Sequence, residues 1–340
     1  MKKLFPFTMP SKFPVLKLED IHNQAYVDTI SFCMNIVSCI GIAMSLILLI
    51  IIIYASPPNM SRFRWFLLAY VICIILLELE MILYKLYAIL PYGIFYPIGL
   101  LAPMSATMSV AFETSMSFTI SAMMIIILIM ILERYFALLI VSKFYQKPMF
   151  YISYYITLYI IYIIVSVIAT YKLEIFLNAG EAKDIIDNYI DGGHVLLEHQ
   201  PSLSGFPTDF SKTVITFGIL FFMMLNIGIP GIIALILSFR KVNKSRALFA
   251  QHSYSHHVVF LRLITLQGIL FVTMIGLPLL AAISAFAIGL HSSVFLFCMF
   301  IISFFPIFDC FIILFTIKPY RQFVVRFLAP NTTVIHISMR

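Results

Sequence analysis

The sequence predicts an all-α membrane protein, a seven-transmembrane helix bundle with its N-terminus outside, its C-terminus inside and a short amphipathic helix after the last span. Three observations predict it. The 340 residues are 62% hydrophobic and only 11% charged, with mean hydropathy +1.04, whereas a soluble domain keeps about a quarter of its residues charged. The apolar residues fall into runs of the ~20 residues that a helix needs to cross the hydrocarbon core. The basic residues gather on one side of those runs.

The runs place spans at Thr29–Tyr54, Trp65–Tyr84, Thr107–Leu132, Phe150–Tyr171, Thr213–Phe239, Leu263–Phe286 and Ser293–Ile317. Helices are the expected form because they satisfy their own backbone groups, which lipid cannot do. Residues 1–28 form an outer N-terminal segment, 29–317 the bundle and 318–340 an inner tail. Tyr92 to Ala111 is also apolar, but Gly93, Pro97, Gly99 and Pro103 interrupt it. We read its first half as a connection leading into a long third helix; an eighth span there is the alternative. The longest polar stretch, Lys172 to Lys212, is a single loop.

With the N-terminus outside, the inner side holds fourteen basic residues and the outer side eight. The inner set is Arg62, Arg64, Arg134, Lys143, Lys147, Arg240, Lys241, Lys244, Arg246, Arg262, Lys318, Arg321, Arg326 and Arg340. This is the bias that orients a membrane protein, and it explains the net charge of +7 without a nucleic-acid partner. The sequons at Asn59, Asn243 and Asn331 lie on the inner side in this scheme and stay unmodified. No convincing signal peptide follows Lys2 and Lys3, because Pro6, Pro10 and Pro14 break the run, so the first span is expected to insert as an uncleaved anchor. Cys33, Cys39, Cys73, Cys298 and Cys310 all lie in apolar runs, which excludes a loop disulfide.

The third span ends in Glu133-Arg134-Tyr135 at the mouth of a basic loop. An arginine there sends its always-charged guanidinium to the interface. It serves either as a switch, paired within the protein in one state and released in another, or as a plain positive-inside anchor. A seven-span chain with an acidic-Arg-Tyr step at this place resembles the rhodopsin-like G-protein-coupled receptors. The run Leu132-Glu133-Arg134-Tyr135-Phe136-Ala137, followed by Phe144-Tyr145-Gln146-Lys147-Pro148, is more similar to nematode serpentine chemoreceptors, of which class epsilon (the Sre family) is the expected class. The resemblance implies a chemosensory receptor that binds a small, apolar ligand among the outer halves of its helices. It also implies a heterotrimeric G protein as partner, with Lys143, Lys147, Arg240, Lys241, Lys244 and Arg246 among the contacts, and a plasma or sensory-cilium membrane as location. The chain departs from rhodopsin-like receptors in several places. No cysteine joins span three to the second outer loop, Gly276 precedes Pro278 by two where an aromatic is usual, and span seven has Phe305-Pro306-Ile307-Phe308-Asp309. The one tryptophan, Trp65, is outside span four.

Pro230, Pro278 and Pro306 lie inside spans five, six and seven; each frees a carbonyl and permits a hinge, or serves packing alone. Glu78, Glu80, Glu113 and Asp309 sit at membrane depth, where carboxyls face the bundle interior or water. They are candidate ligand or switch groups, or structural carboxyls satisfied by hydrogen bonds. Lys85 is placed to pair loosely with Glu80. Lys318 to Phe327 reads as an interfacial helix, with Phe323 and Phe327 on one face and Arg321 and Arg326 for lipid headgroups.

Two rival functions remain open at this level. A transporter or ligand-gated channel subunit would use the membrane carboxyls as ion sites. His252, His256 and His257 form an HxxxHH box like that of membrane di-iron enzymes, but no second box accompanies it, so metal, cofactor and catalytic residues are expected to be absent.

Overall fold

A computed structural model of the chain describes residues 16–17, 23–57, 60–90, 92, 94–138, 148–172, 179–193, 203–205, 210–244, 251–288 and 291–328. Eleven helices and five short strands are found among them. Helix α1 (Gln24–Ala55) starts at Asn23, whose side chain accepts from the Tyr26 N–H at 3.1 Å, an N-cap that satisfies one of the orphan first-turn donors. It buries Met34, Ser38, Gly41, Ser45, Leu48 and Ile52, a stripe spaced three and four apart. Its opposite face exposes Ile36, Ile40, Ile47 and Ile50, as a helix in lipid does.

Helix α2 (Ser61–Leu83) leads into a hairpin of β2 (Leu86–Ile89) and β3 (Ile94–Pro97). The strands pair antiparallel, Tyr87 opposite Tyr96 and Ala88 opposite Phe95. Among the described residues of 86–105 there is no helix, so the eighth-span alternative falls. Beyond β3 the chain doubles back over the end of α2. The N–H groups of Ile98, Gly99, Leu100 and Leu101 donate to the carbonyls of Lys85, Tyr84, Ile82 and Leu83, satisfying acceptors that a helix end leaves open. Gly99 sits so close to the Leu83 carbonyl that a Cβ would overlap it, which is why glycine is required there.

Helix α3 (Ala106–Leu138) runs through the middle of the bundle: every residue from Ile127 to Ile131 is buried. It packs against α2, against α4 (Pro148–Lys172) and against α6 (Phe210–Lys244). Helix α4 is peripheral, burying Tyr155 and Tyr162 while exposing Tyr154, Ile156, Ile160 and Ile164. Between α4 and α6, helix α5 (Ala179–Tyr189) and strands β4 (Ile190–Asp191) and β5 (Ser204–Gly205) gather near the hairpin. Strand β5 pairs with β3, and β4 pairs with β1 (Leu16–Lys17).

The sixth rod is α7 (Gln251–Phe271), a π-helical turn at Val272–Gly276, and α8 (Leu277–Ile288). The seventh is α9 (Ser292–Ser303) and α10 (Phe305–Thr316), followed by α11 (Lys318–Leu328). Among the described residues, six rods are long and apolar enough to cross a membrane, and the shorter α4, apolar over Ile152–Ile168, makes up a set of seven. The helices overrun the apolar stretches. Helix α3 continues through Arg134, and α7 begins at Gln251, well before Leu263.

Candidate functional site

Four carboxyls lie within the bundle, Glu78 and Asp309 buried and Glu80 and Glu113 half-buried. The Glu133-Arg134-Tyr135 step lies in the last turns of α3, with all three residues half-buried. Arg134 is flanked by rings from two other helices: its Cζ is 4.7 Å from the centroid of Phe63 in α2 and 4.2 Å from that of Phe260 in α7. Both distances are within cation–π reach. Sequence reasoning missed both rings, since nothing distinguishes Phe63 or Phe260 from the other phenylalanines of an apolar chain.

Asp309 does not meet Arg134. It is fully buried in α10, and its Oδ1 accepts from the Tyr70 hydroxyl at 3.4 Å and from Gln267 Nε2 at 3.3 Å. It thereby ties α10 to α2 and α7. Asp309 Oδ2 and Gln267 Oε1 have no hydrogen-bond partner among the described residues. Next to it, Cys310 Sγ lies 3.7 Å from Ser45 Oγ in α1.

Glu78 and Glu80 face different helices, as residues two apart must. Glu78 is fully buried beside Gly41 of α1, with the Ser38 hydroxyl near but outside regular hydrogen-bond geometry. The small residues Ser38, Gly41 and Ser45 let the α1 backbone come close, and a Cβ on Gly41 would stand 3.4 Å from Pro306, the close approach typical of membrane helix pairs. Glu80 faces α3 instead and accepts from the Ser115 hydroxyl and, at 3.2 Å, from Thr119. Glu113 in α3 accepts from the Tyr84 hydroxyl at 2.6 Å, and Ser109 Oγ lies 2.7 Å from the same hydroxyl.

Lys85 does not pair with Glu80. It is 2% exposed and donates to Ser31 O at 2.9 Å, Ser31 Oγ at 2.7 Å and Asn35 Oδ1 at 2.7 Å. All three ammonium donors meet neutral acceptors of α1. Burial holds its pKa down to about 8, because desolvation disfavours the charged form.

The three prolines have different surroundings. Pro230 stands inside an unbroken α6. Pro278 follows the π turn, where the Leu277 N–H reaches back to Val272 O and the Thr273 hydroxyl donates to Ile269 O at 2.9 Å and Leu270 O at 3.1 Å. The i→i−5 bond of Leu277 marks the π turn immediately before the proline. Pro306 opens α10 after a break at Phe304, whose N–H turns to Ile301 O.

Of the basic contacts, Arg240 and Lys244 are exposed and Lys241 is half-buried at the end of α6. Lys143, Lys147 and Arg246 lie outside the described residues, as do sequon residues Asn59 and Asn331. His252 and His256 fall in the first two turns of α7, and no group of three metal-binding side chains occurs among the described residues. Helix α11 begins beside buried Ile317; Tyr320 is buried and its hydroxyl lies 2.8 Å from Ser56 Oγ at the end of α1.

Residues 25–330 match the sequence profile of a family described as serpentine type 7TM GPCR chemoreceptor Srh. Srh is a different family from class epsilon, so the class expected from the Glu133–Ala137 run is corrected: a short acidic-Arg-Tyr step is shared too widely to separate serpentine classes. No curated protein matches the chain.

Proposed function

The chain belongs to the Srh family of serpentine seven-transmembrane chemoreceptors, a family of receptors and not of enzymes, and from this premise we propose how it signals. It is a G-protein-coupled receptor whose hairpin end faces outward and whose Arg134 end faces the cytosol, in a plasma or ciliary membrane. The charge bias supports this orientation, since Arg240, Lys241 and Lys244 share the Arg134 side in the seven-span layout.

The ligand is small and apolar. Glu80 and Glu113, the carboxyls of the outer half, already accept from Ser115, Thr119 and Tyr84. A cationic ligand would compete with those hydroxyls for the carboxyls, whereas an apolar one binds among the surrounding side chains without that competition. It acts by preferring one arrangement of the helices over another.

The observation that carries the reading is the pairing of Arg134 at the end of α3 with a jointed neighbour, α7, whose π turn and Pro278 form a ready bend. When α7 swings, Arg134 is uncovered and the basic ends of α3 and α6 meet the G protein. Helix α11 lies at the headgroups with exposed Arg321 and Arg326 toward phosphate. The test is a panel of small apolar odorants on cells carrying a G-protein reporter. Arg134→Ala is expected to lower the ligand response at least about tenfold at equal surface level, a loss of roughly 1.4 kcal/mol of coupling or more. An undiminished response refutes the assignment.

A further inference from the structure

The rings that flank Arg134 come from two helices that α3 has to part from if its end is to open. Phe63 is 1% exposed and Phe260 is 6% exposed, and their centroids are 4.7 Å apart at an interplanar angle of 51°. The guanidinium lies within 4.7 Å of the first and 4.2 Å of the second. One cation therefore joins α2, α3 and α7 at a single point.

We infer that Phe63 and Phe260 are positioning residues that hold Arg134 in the closed, non-signalling arrangement through a cation–π clamp. The inference rests on the G-protein reading above. Ring faces attract a guanidinium through their quadrupole, and the attraction grows when water is excluded. The geometry supplies its release. Phe260 lies roughly 18 Å along the helix from Val272, where the π turn begins, at about 1.5 Å per residue. A tilt of about ten degrees there moves the ring by about 3 Å on this lever, enough when directed away from Arg134 to carry it beyond the ~6 Å cation–π range. Arg134 is then presented to a partner with its forked donors intact.

The experiment uses the full chain in cells with a G-protein reporter, each signal normalised to surface level. Phe260→Leu and Phe63→Leu keep an apolar side chain but remove the ring face; Phe260→Tyr keeps it. Either leucine variant is expected to raise the ligand-free signal about threefold or more. Phe260→Tyr stays at the wild-type level, and adding Arg134→Ala to Phe260→Leu returns the signal to that of cells without receptor. A merely structural role for the rings would lower the signal or leave it unchanged in properly expressed leucine variants, and that result, together with an unaltered α1–α7 distance in the measurement below, overturns the clamp.

A second readout does not depend on a G protein. Keto-bearing amino acids introduced at positions 54 and 262 carry spin labels in purified receptor, and Phe260→Leu is expected to add a longer-distance population absent from wild type. That population without any G-protein signal upholds the clamp and refutes the coupling. Signal without the population upholds the coupling and refutes the clamp, and neither one refutes the clamp as well.

Discussion

The two ends of the bundle are held in different ways. At the hairpin end, backbone hydrogen bonds from residues 98–101 seal α2, β5 extends the hairpin, and Lys85 fixes α1 through three hydrogen bonds. Phe95 also packs on Phe295 of α9, with ring centroids 5.9 Å apart, and the Leu90 N–H donates to Ser292 Oγ at 3.0 Å. At the Arg134 end, α3 meets α2 and α7 through ring faces, and the sixth and seventh rods are each interrupted midway. Directional hydrogen bonds are costly to leave unmade; ring contacts are lost more gradually. The hairpin end is thus built to stay and the other to part, as the proposed signalling requires.

This contrast is breakable in four places. Gly99→Val has the largest effect: the new side chain meets the Leu83 backbone, which cannot yield, and we expect a loss of at least about 3 kcal/mol, read as failed surface expression and a lowered thermal midpoint. Tyr84→Phe strips a hydroxyl from Ser109 and Glu113 and is expected to cost about 2 kcal/mol in the same melt. At the other end, Pro278→Ala lets the π turn relax. It is expected to gain about 1 kcal/mol while the ligand response falls, and a fall in both quantities contradicts the hinge.

The smallest effect is a pH slope. Burial holds Lys85 near 8 against its ordinary 10.5, so the unfolded chain binds that proton more tightly than the folded one. Stability is then flat below about pH 8 and climbs as pH rises towards 10.5. Lys85→Met is expected to remove this part of the slope in melts across that range.

Most of the helical layout was legible in the sequence because lipid demands a long apolar run for each crossing. The ends were less legible. The polar first turns of α7, Gln251 to His256, carry no lipid signal, yet they continue the helix. The hairpin hid in an apolar stretch: Gly93, Pro97, Gly99 and Pro103 argued against a span, but the alternation of Tyr87, Ile89 and Ile94, Tyr96 was the sign of strands. Helix α5 hid in a polar stretch read as a single loop, although Ala182, Ile185 and Ile186 are buried. Of the site, Arg134 and Asp309 stood out because charge is costly in a membrane. Their partners Phe63, Phe260, Tyr70 and Gln267 did not, since a contact between distant helices leaves no spacing to read.

Sidedness is the claim on which everything else depends. A membrane-impermeant maleimide, applied to intact cells expressing either Lys183→Cys on α5 or Lys244→Cys at the end of α6, tests it; both positions are exposed. The account predicts labelling at 183 in intact cells and at 244 only after permeabilisation. Labelling at 244 in intact cells, with 183 protected, contradicts it.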